Sequence, residues 1–399
     1  MTVTGESAGP ASMRPVVLLS MAGFCSMAAM RVSDPLLPEI AVDFATTAGQ
    51  ASVIGTAFAL AYGIFQVAYG PLGDRFGKFH VITLAIAAAT ATVTAAAMAG
   101  SLATLAGLRF LAGAATAATI PLSLAYIGDI TSYEQRQPVL ARYMTGTILG
   151  LLFGQVAGGV IMELAGWRAV FLVLGSLYAL VTALLVLELR SHRVVRRRSA
   201  HPVRPGHILA QYLAIMRESH PRRVLIAVFF EGFLLYGGIA YLGAFLRSRF
   251  ALDYGTIGLM LAGFGGGGLV YILMSRPVIR RLGERGMVRT GGACVLLGFA
   301  LLAVIRDWHL SALANVLIGF GFFLVHNTLQ ANATQMAPDA RGSAVSLFAF
   351  WLFMGQASGI ALLGMIVDRA GYVPVFLVCG LAMIVLALWF ARTPGLIER

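Results

Sequence analysis

The stretch Gly70-Pro-Leu-Gly-Asp-Arg-Phe-Gly-Lys-Phe-His80 separates two long apolar segments, residues 51–69 and 81–99. It is too short to be a domain and too charged to lie in hydrocarbon. Gly70 and Gly73 would let backbones approach closely, and Pro71 and Gly77 suit a tight reversal. Asp74, Arg75 and Lys78 then form a charge cluster where two helices meet at a membrane face. A degraded copy, Arg276-Pro-Val-Ile-Arg-Arg-Leu-Gly283, follows 206 residues later and aligns Pro277 with Pro71, Arg281 with Arg75 and Gly283 with Gly77. The chain is therefore expected to be a duplication, with this loop fixed in both halves.

Working outward, the 399 residues are 59% hydrophobic and only 12% charged, with a mean hydropathy of +0.84. That composition excludes a set of soluble domains. Apolar segments of about 20 residues recur, each long enough for a hydrocarbon core of ~30 Å. They are continuous rather than alternating, and lipid leaves no partner for free backbone groups, so they are expected to be helices. Twelve spans are expected, at residues 15–36, 50–70, 80–99, 103–127, 138–162, 167–188, 223–246, 255–275, 287–305, 309–332, 343–366 and 373–391. The polar first 13 residues do not resemble a cleaved signal peptide, so the first span is expected to stay.

With the N-terminus inside, 22 basic residues fall on the inner side and 5 on the outer, while Arg31 and Arg109 remain within spans. The asymmetry places both termini in the cytoplasm. The net charge of +12 is thus a topology signal with some attraction for anionic lipid, and nucleic acid is not an expected partner. The expected organisation is a tail (1–14), a six-helix bundle (15–189), a basic linker (190–222), a second six-helix bundle (223–391) and a tail (392–399). The stretch from Arg190 to Arg223 holds nine arginines and four histidines, with an amphipathic helix expected around residues 208–216. No zinc spacing is present, and Cys25, Cys294 and Cys379 sit in separate apolar segments, so neither metal nor disulfide is expected.

The charged residues inside spans carry the chemistry. Arg31 and Asp34, three apart, share one helix face near the outer end of the first span. They are either an interfacial ion pair or a proton- and substrate-binding carboxylate tuned by a guanidinium. Arg109 lies in the fourth span above small residues; it either snorkels outward or faces a cavity, where its charge is permanent. Glu231, in Phe-Phe-Glu-Gly-Phe, cannot face lipid and is a functional candidate or an interhelical hydrogen-bonding group. Tyr236 follows it. In the tenth span His326, Gln330 and Asn327 form a polar stripe, either wetting a cavity or bonding helices together. Gly146, Gly150, Gly154, Gln155, Gly158 and Gly159 place glycines four apart along the fifth span, which predicts close helix contact. Residues 265–268 are glycines without the Lys-Ser/Thr of a phosphate loop. At the 206-residue offset Phe44 meets Phe250, Phe58 meets Phe264 and Gly113 meets Gly319, while Asp34 becomes Ala240 and Arg109 becomes Asn315. The scaffold repeats and the charges do not.

These residues resemble a family. Gly70-Pro-Leu-Gly-Asp-Arg-Phe-Gly-Lys78 is similar to the signature between spans two and three of the major facilitator superfamily. Leu108-Arg109-Phe-Leu-Ala-Gly113 resembles the span-four motif of proton-coupled members, with Ala112 where Gln is common. Gly150-Leu-Leu-Phe-Gly154-Gln155-Val-Ala-Gly158-Gly159 resembles the span-five antiporter motif, with Gln155 in place of its proline. Asp34 stands where twelve-span drug:proton antiporters often have a carboxylate. The resemblance implies an all-α fold of two pseudo-symmetric six-helix bundles around a central cavity. It implies alternating access, driven by a proton gradient without a cofactor or enzymatic chemistry. Asp34, Arg31, Arg109 and Glu231 would couple protons. Asp34, Arg109, Glu231, Tyr236, His326, Asn327 and Gln330 would line the cavity. Gly70, Asp74, Arg75, Gly77, Lys78 and Asp129 would latch the inner face and hold an outward-facing state. The expected role is efflux of small drug-like organic molecules by a monomer in the inner (plasma) membrane. The alternatives are transport of one metabolite (a sugar, siderophore or organic anion, exported or imported) and a non-transporting receptor or scaffold.

Overall fold

The computed structural model describes residues 13–131, 133–191, 205–337 and 341–393. Among these residues there are helices and no strands. Ten helical stretches are long and apolar enough to cross a membrane. Two of them, α8 (Tyr133–Arg190) and α13 (Tyr254–Val304), turn back at Gly166 and Gly283 and cross twice, so the crossings number twelve.

In the first half, α1 (Met13–Arg31) and α2 (Ser33–Asp43) make one crossing, and α3 (Ala48–Ala51) with α4 (Val53–Phe76) the next. Then come α5 (Lys78–Ala96), α6 (Leu102–Thr116) with α7 (Thr119–Ile130), and the two arms of α8. After α9 (Pro205–Arg217), the second half opens with α10 (Ser219–Glu231), a π-helical turn (Gly232–Tyr236), α11 (Gly237–Ile239) and α12 (Leu242–Phe250). The two arms of α13, α14 (Leu310–Ala333), α15 (Arg341–Ala370) and α16 (Tyr372–Phe390) complete it. The helix expected in the linker is α9. The outer parts of the expected tails and linker, including His192 and His201, lie outside the described residues.

The duplication is visible in backbone geometry. The described glycines at positive φ form two pairs: Gly77 with Gly283, already equivalent in sequence at an offset of 206, and Gly166 with Gly371, at an offset of 205. Ala45 and Ala251, 206 residues apart, share the left-handed conformation as well. Packing repeats too. Gly113 lies against the Phe58 carbonyl and Gly319 against the Phe264 carbonyl, so tightly that neither glycine could carry a side chain. Gly146, Gly150 and Gly154 seat the first arm of α8 on Ser20, Phe24 and Ala28 of α1, each four residues after the last. In the second half Gly355 and Gly359 seat α15 on Phe229 and Phe233 in the same register. Where lipids supply no hydrophobic drive between helices, this close approach is what holds them. Apolar side chains such as Leu84, Met98, Leu164 and Leu273 point outward toward lipid.

Two details of the expected pattern change. Pro71 lies inside α4, which continues to Phe76, so the reversal is made by Gly77 alone. Gly73 packs against Leu122, but among the described residues nothing approaches Gly70. The first crossing also runs past residue 36, through Pro38, to Asp43. Asp43 marks the surface, where its carboxylate accepts from Trp167 at 2.9 Å and Arg168 at 3.0 Å. Asp34, nine residues below it, therefore lies about 13 Å inside by helical rise, deeper than the sequence suggested.

Both ends of the described chain and α9 share one face, here the terminal face; the opposite face is distal. Hydrogen bonds joining the halves gather distally. Asp368 of α15 accepts from the Thr47 hydroxyl at 2.7 Å and the Gly49 amide at 2.9 Å. Tyr254 donates its amide to Glu163 at 2.8 Å and its hydroxyl to Glu39 at 2.5 Å. Gly159 meets Tyr254 and Gly258 backbone to backbone. The molecule is closed on its distal side.

Candidate functional site: a charged cluster at the meeting of the two halves

α1 and α2 are separated only by Val32, which keeps helical dihedrals, so Arg31 and Asp34 fall three apart on one face. Their side chains are 3.4 Å apart, with Arg31 4% and Asp34 13% exposed. Such a long contact holds the ions loosely, and Arg31 also packs across to the other half. Its guanidinium lies 4.4 Å above the ring of Tyr236 and 5.6 Å from that of Phe264, both in the second half. A desolvated cation over an aromatic face contributes about 2 kcal/mol.

Arg109 enters the same region from α6. It is 1% exposed, donates to the Ala29 carbonyl at 2.9 Å and lies 4.2 Å over Phe58. Its Nε and Nη2 have no hydrogen-bond partner among the described residues. Arg109 does not snorkel: it points at the end of α1, and its charge acts on Asp34. From α8, the Gln155 side chain faces the Asp34 carboxylate and favours its charged form. Two guanidinium groups and one amide thus converge on a single carboxylate.

The second half adds a separate pair. Glu231, fully buried, lies 2.9 Å from Nδ1 of His326, which is 15% exposed. The other Glu231 oxygen has no hydrogen-bond partner among the described residues. His326 stacks on Phe322 at 4.8 Å and contacts Phe348 at 5.5 Å. Tyr236 contacts Phe322 at 5.6 Å, which joins this pair to Arg31 through rings. The π-helical turn begins directly after Glu231 and ends at Tyr236; such bulges are frequent at functional sites. Asn327 bonds back to its own helix at Phe323, and Gln330 is exposed.

The charged loop closes within the first half. Lys78 contacts Asp129 at 2.5 Å and Asp74 at 3.7 Å. Gly77 supplies the turn at φ 93°, and Arg75 lies over Phe76 at 5.1 Å. On α8, Gly150 and Gly154 lie on α1, Gly158 faces Val32 and Pro35, and Gly159 crosses to the second half.

Sequence reasoning missed several polar groups. Gln155 was singled out in a packing motif, although a glutamine side chain two glycines deep in a span signals a polar neighbour. Glu188 is fully buried, 3.0 Å from Arg14; its position in an apolar run was the available signal. Asp368 and Tyr241 gave none, because their partners are between 119 and 321 residues away.

The profile of the Major Facilitator Superfamily matches residues 19–359. A bicyclomycin resistance protein homolog of Haemophilus influenzae is 25% identical over 384 residues, 92% of each chain. The inner membrane transport protein YnfM of Escherichia coli is 26% identical over 356 residues, 87% of this chain and 82% of that one. The solved nucleoside transporter NupG superposes with a TM-score of 0.75 at 13% identity, covering 95% of this chain and 98% of its own. A bacterial homolog of the human lysosomal transporter Spinster, solved inward-facing and unoccupied, gives 0.73 at 16% identity, covering 96% and 97%. With the motifs, the repeated six-crossing halves and these matches together, the chain belongs to the Major Facilitator Superfamily, a family of multi-pass membrane transporters.

Proposed function

We propose that this transporter is a proton-coupled exporter of small, fairly apolar organic molecules. The observation that carries this reading is the convergence of Arg31, Arg109 and Gln155 on Asp34, beside Tyr236 of the opposite half. Protonating Asp34 removes the one negative charge there and changes which contacts between the halves are favourable. Proton and substrate then compete for one site, which is reciprocal coupling. Rings of Tyr236, Phe264 and Phe322 offer an apolar, adaptable wall. The similarity to a bicyclomycin resistance homolog supports a drug-like cargo.

The arginine asymmetry supports a cytoplasmic terminal face in an inner-membrane protein. The distal-closed arrangement is then an inward-facing state of a monomer in lipid. Asp74, Lys78 and Asp129 are preassembled in this state and dock on the second half when the terminal face closes. A second reading is an organic anion as cargo. It draws on two guanidinium groups facing one carboxylate, an excess of positive charge.

The test is flux in proteoliposomes with tetraphenylphosphonium, glucose and benzoate as probes, with and without an imposed pH gradient. Gradient-driven flux in the wild type that is lost in Asp34→Asn is expected. Equal gradient-driven flux in both would move coupling to Glu231, and flux indifferent to the gradient would sink the reading.

A further inference from the structure

Between the closed distal surface and Asp34 lie two cavities that share one residue. The upper, about 260 Å³, is bordered by Gly49, Gln50, Ser52, Thr56, Met365 and Asp368. The lower, about 20 Å³, is bordered by Ser33, Asp34, Leu37, Ser52, Gly55 and Ala240. The lower one has room for a single water. Ser33, 5% exposed, lines it with a hydroxyl that has no hydrogen-bond partner among the described residues. The buried Thr56 hydroxyl, on the upper cavity, has none either. Ser52 stands between them, 3% exposed. Its hydroxyl donates to the Gly49 carbonyl at 2.6 Å and accepts from the Tyr241 hydroxyl at 2.8 Å. Tyr241 also contacts the Ile360 carbonyl.

We infer that Asp368, Ser52 and Ser33 form a proton access path from the distal face to Asp34, with Tyr241 as its gate. This rests on Asp34 being the coupling carboxylate. A path for protons needs no opening wide enough for cargo. A proton reaching the upper cavity forms an O–H bond at the Ser52 oxygen, and the original Ser52 proton passes to water in the lower cavity. That water gives a different proton to an Asp34 carboxylate oxygen. Only O–H bonds form and break, and no electrons are transferred. In this state the Ser52 oxygen is occupied by Tyr241 and its proton by Gly49, so the relay is interrupted. The interruption is useful, because Asp34 is partly exposed here and an open path would leak. Groups facing the ends are Arg31, Arg109 and Gln155 at Asp34, and Thr47, Gly49, Tyr241 and Tyr372 at Asp368.

The test needs no cargo. Proteoliposomes with a trapped pH-sensitive dye report proton leak after an external pH jump. Tyr241→Phe frees Ser52 and should raise the leak by about a hundredfold, at the low end of what one positioned proton carrier contributes. Adding Ser52→Val should return it to the wild-type level, and Ser52→Thr, the same shape with a hydroxyl, should preserve it. Adding Asp34→Asn should also abolish it. No leak in Tyr241→Phe overturns the path, and so does a leak that survives Ser52→Val or Asp34→Asn, which would mark a cracked seal. If this pattern holds while cargo flux is untouched by Asp34→Asn, the coupling reading fails and the path stands.

Discussion

Glu231 and His326 show what a buried pair costs when halved. The carboxylate is fully enclosed and has His326 as its partner at 2.9 Å. His326→Leu leaves a buried charge uncompensated, and such changes cost about 3–5 kcal/mol. Adding Glu231→Gln should recover most of that loss, because the stranded charge is gone. Thermal unfolding of the purified single and double variants checks this; equal losses in both would show that packing of His326, not pairing, is the cause. Both residues were legible in the sequence as polar groups inside apolar spans. Their pairing was not, because 95 residues separate them and nothing local in either span names the other. Arg31 and Asp34 were legible as a pair, since three residues on one helix turn suffice. Gln155 escaped because its partner lies on another helix.

At the scale of elements, glycines with the same sequence signature fall into two physical classes. Gly150 rests on the Phe24 backbone carbonyl, whereas Gly70 has nothing within reach of a side chain. Gly150→Val must push α8 off α1 and should abolish folded protein on size exclusion. Gly70→Ala should leave folding intact and stabilise α4 by about 0.5–1 kcal/mol, as in other helix interiors. Folded Gly150→Val would show that the helices separate without cost. Spacing of four predicted the close seam; spacing of three in the opening loop did not reveal that only Gly73 is packed. Helix ends were less legible than helices, since Pro71 and Pro38 are tolerated inside α4 and α2. At the start of α13, Asp253 caps the helix by accepting from the Thr256 hydroxyl and amide, each at 2.7 Å. These bonds hold its carboxyl below the usual carboxylate range, the Thr256 side chain contributing most. A lowered folded-state pKa gives stability that is present above the ordinary carboxylate value and lost as pH falls through the depressed one. Asp253→Ala should therefore lose about 1 kcal/mol at neutral pH and show a flatter acid limb in thermal unfolding. An acid limb identical to the wild type would remove the cap from the explanation.

The whole molecule is two copies of one scaffold that now meet on the distal side, and that contact decides which way the site faces. The twelve crossings and the duplication followed from hydropathy and a repeated loop, because both are properties of one chain in order. The meeting of Gly159 with Tyr254 and Gly258, and of Gly49 with Gly364 and Asp368, was invisible, because the partners lie in different halves and nothing local names them. On the proposed reading it belongs to one of two states, which makes it testable. Gly159 approaches Tyr254 so closely that any side chain there overlaps its carbonyl. The three nearest atoms to a side chain there all belong to the second half, so Gly159→Leu should spare each bundle while forbidding distal closure. Reversing a population from 99:1 to 1:99 takes about 5.5 kcal/mol, and an overlap with rigid backbone on both sides supplies a penalty of that order. Spin labels at Val42 and Arg369, on the distal ends of the two halves, should move apart in Gly159→Leu, with cargo flux lost and thermal stability little changed. Unchanged label distances with flux retained would mean that the two glycine faces do not form the closing contact.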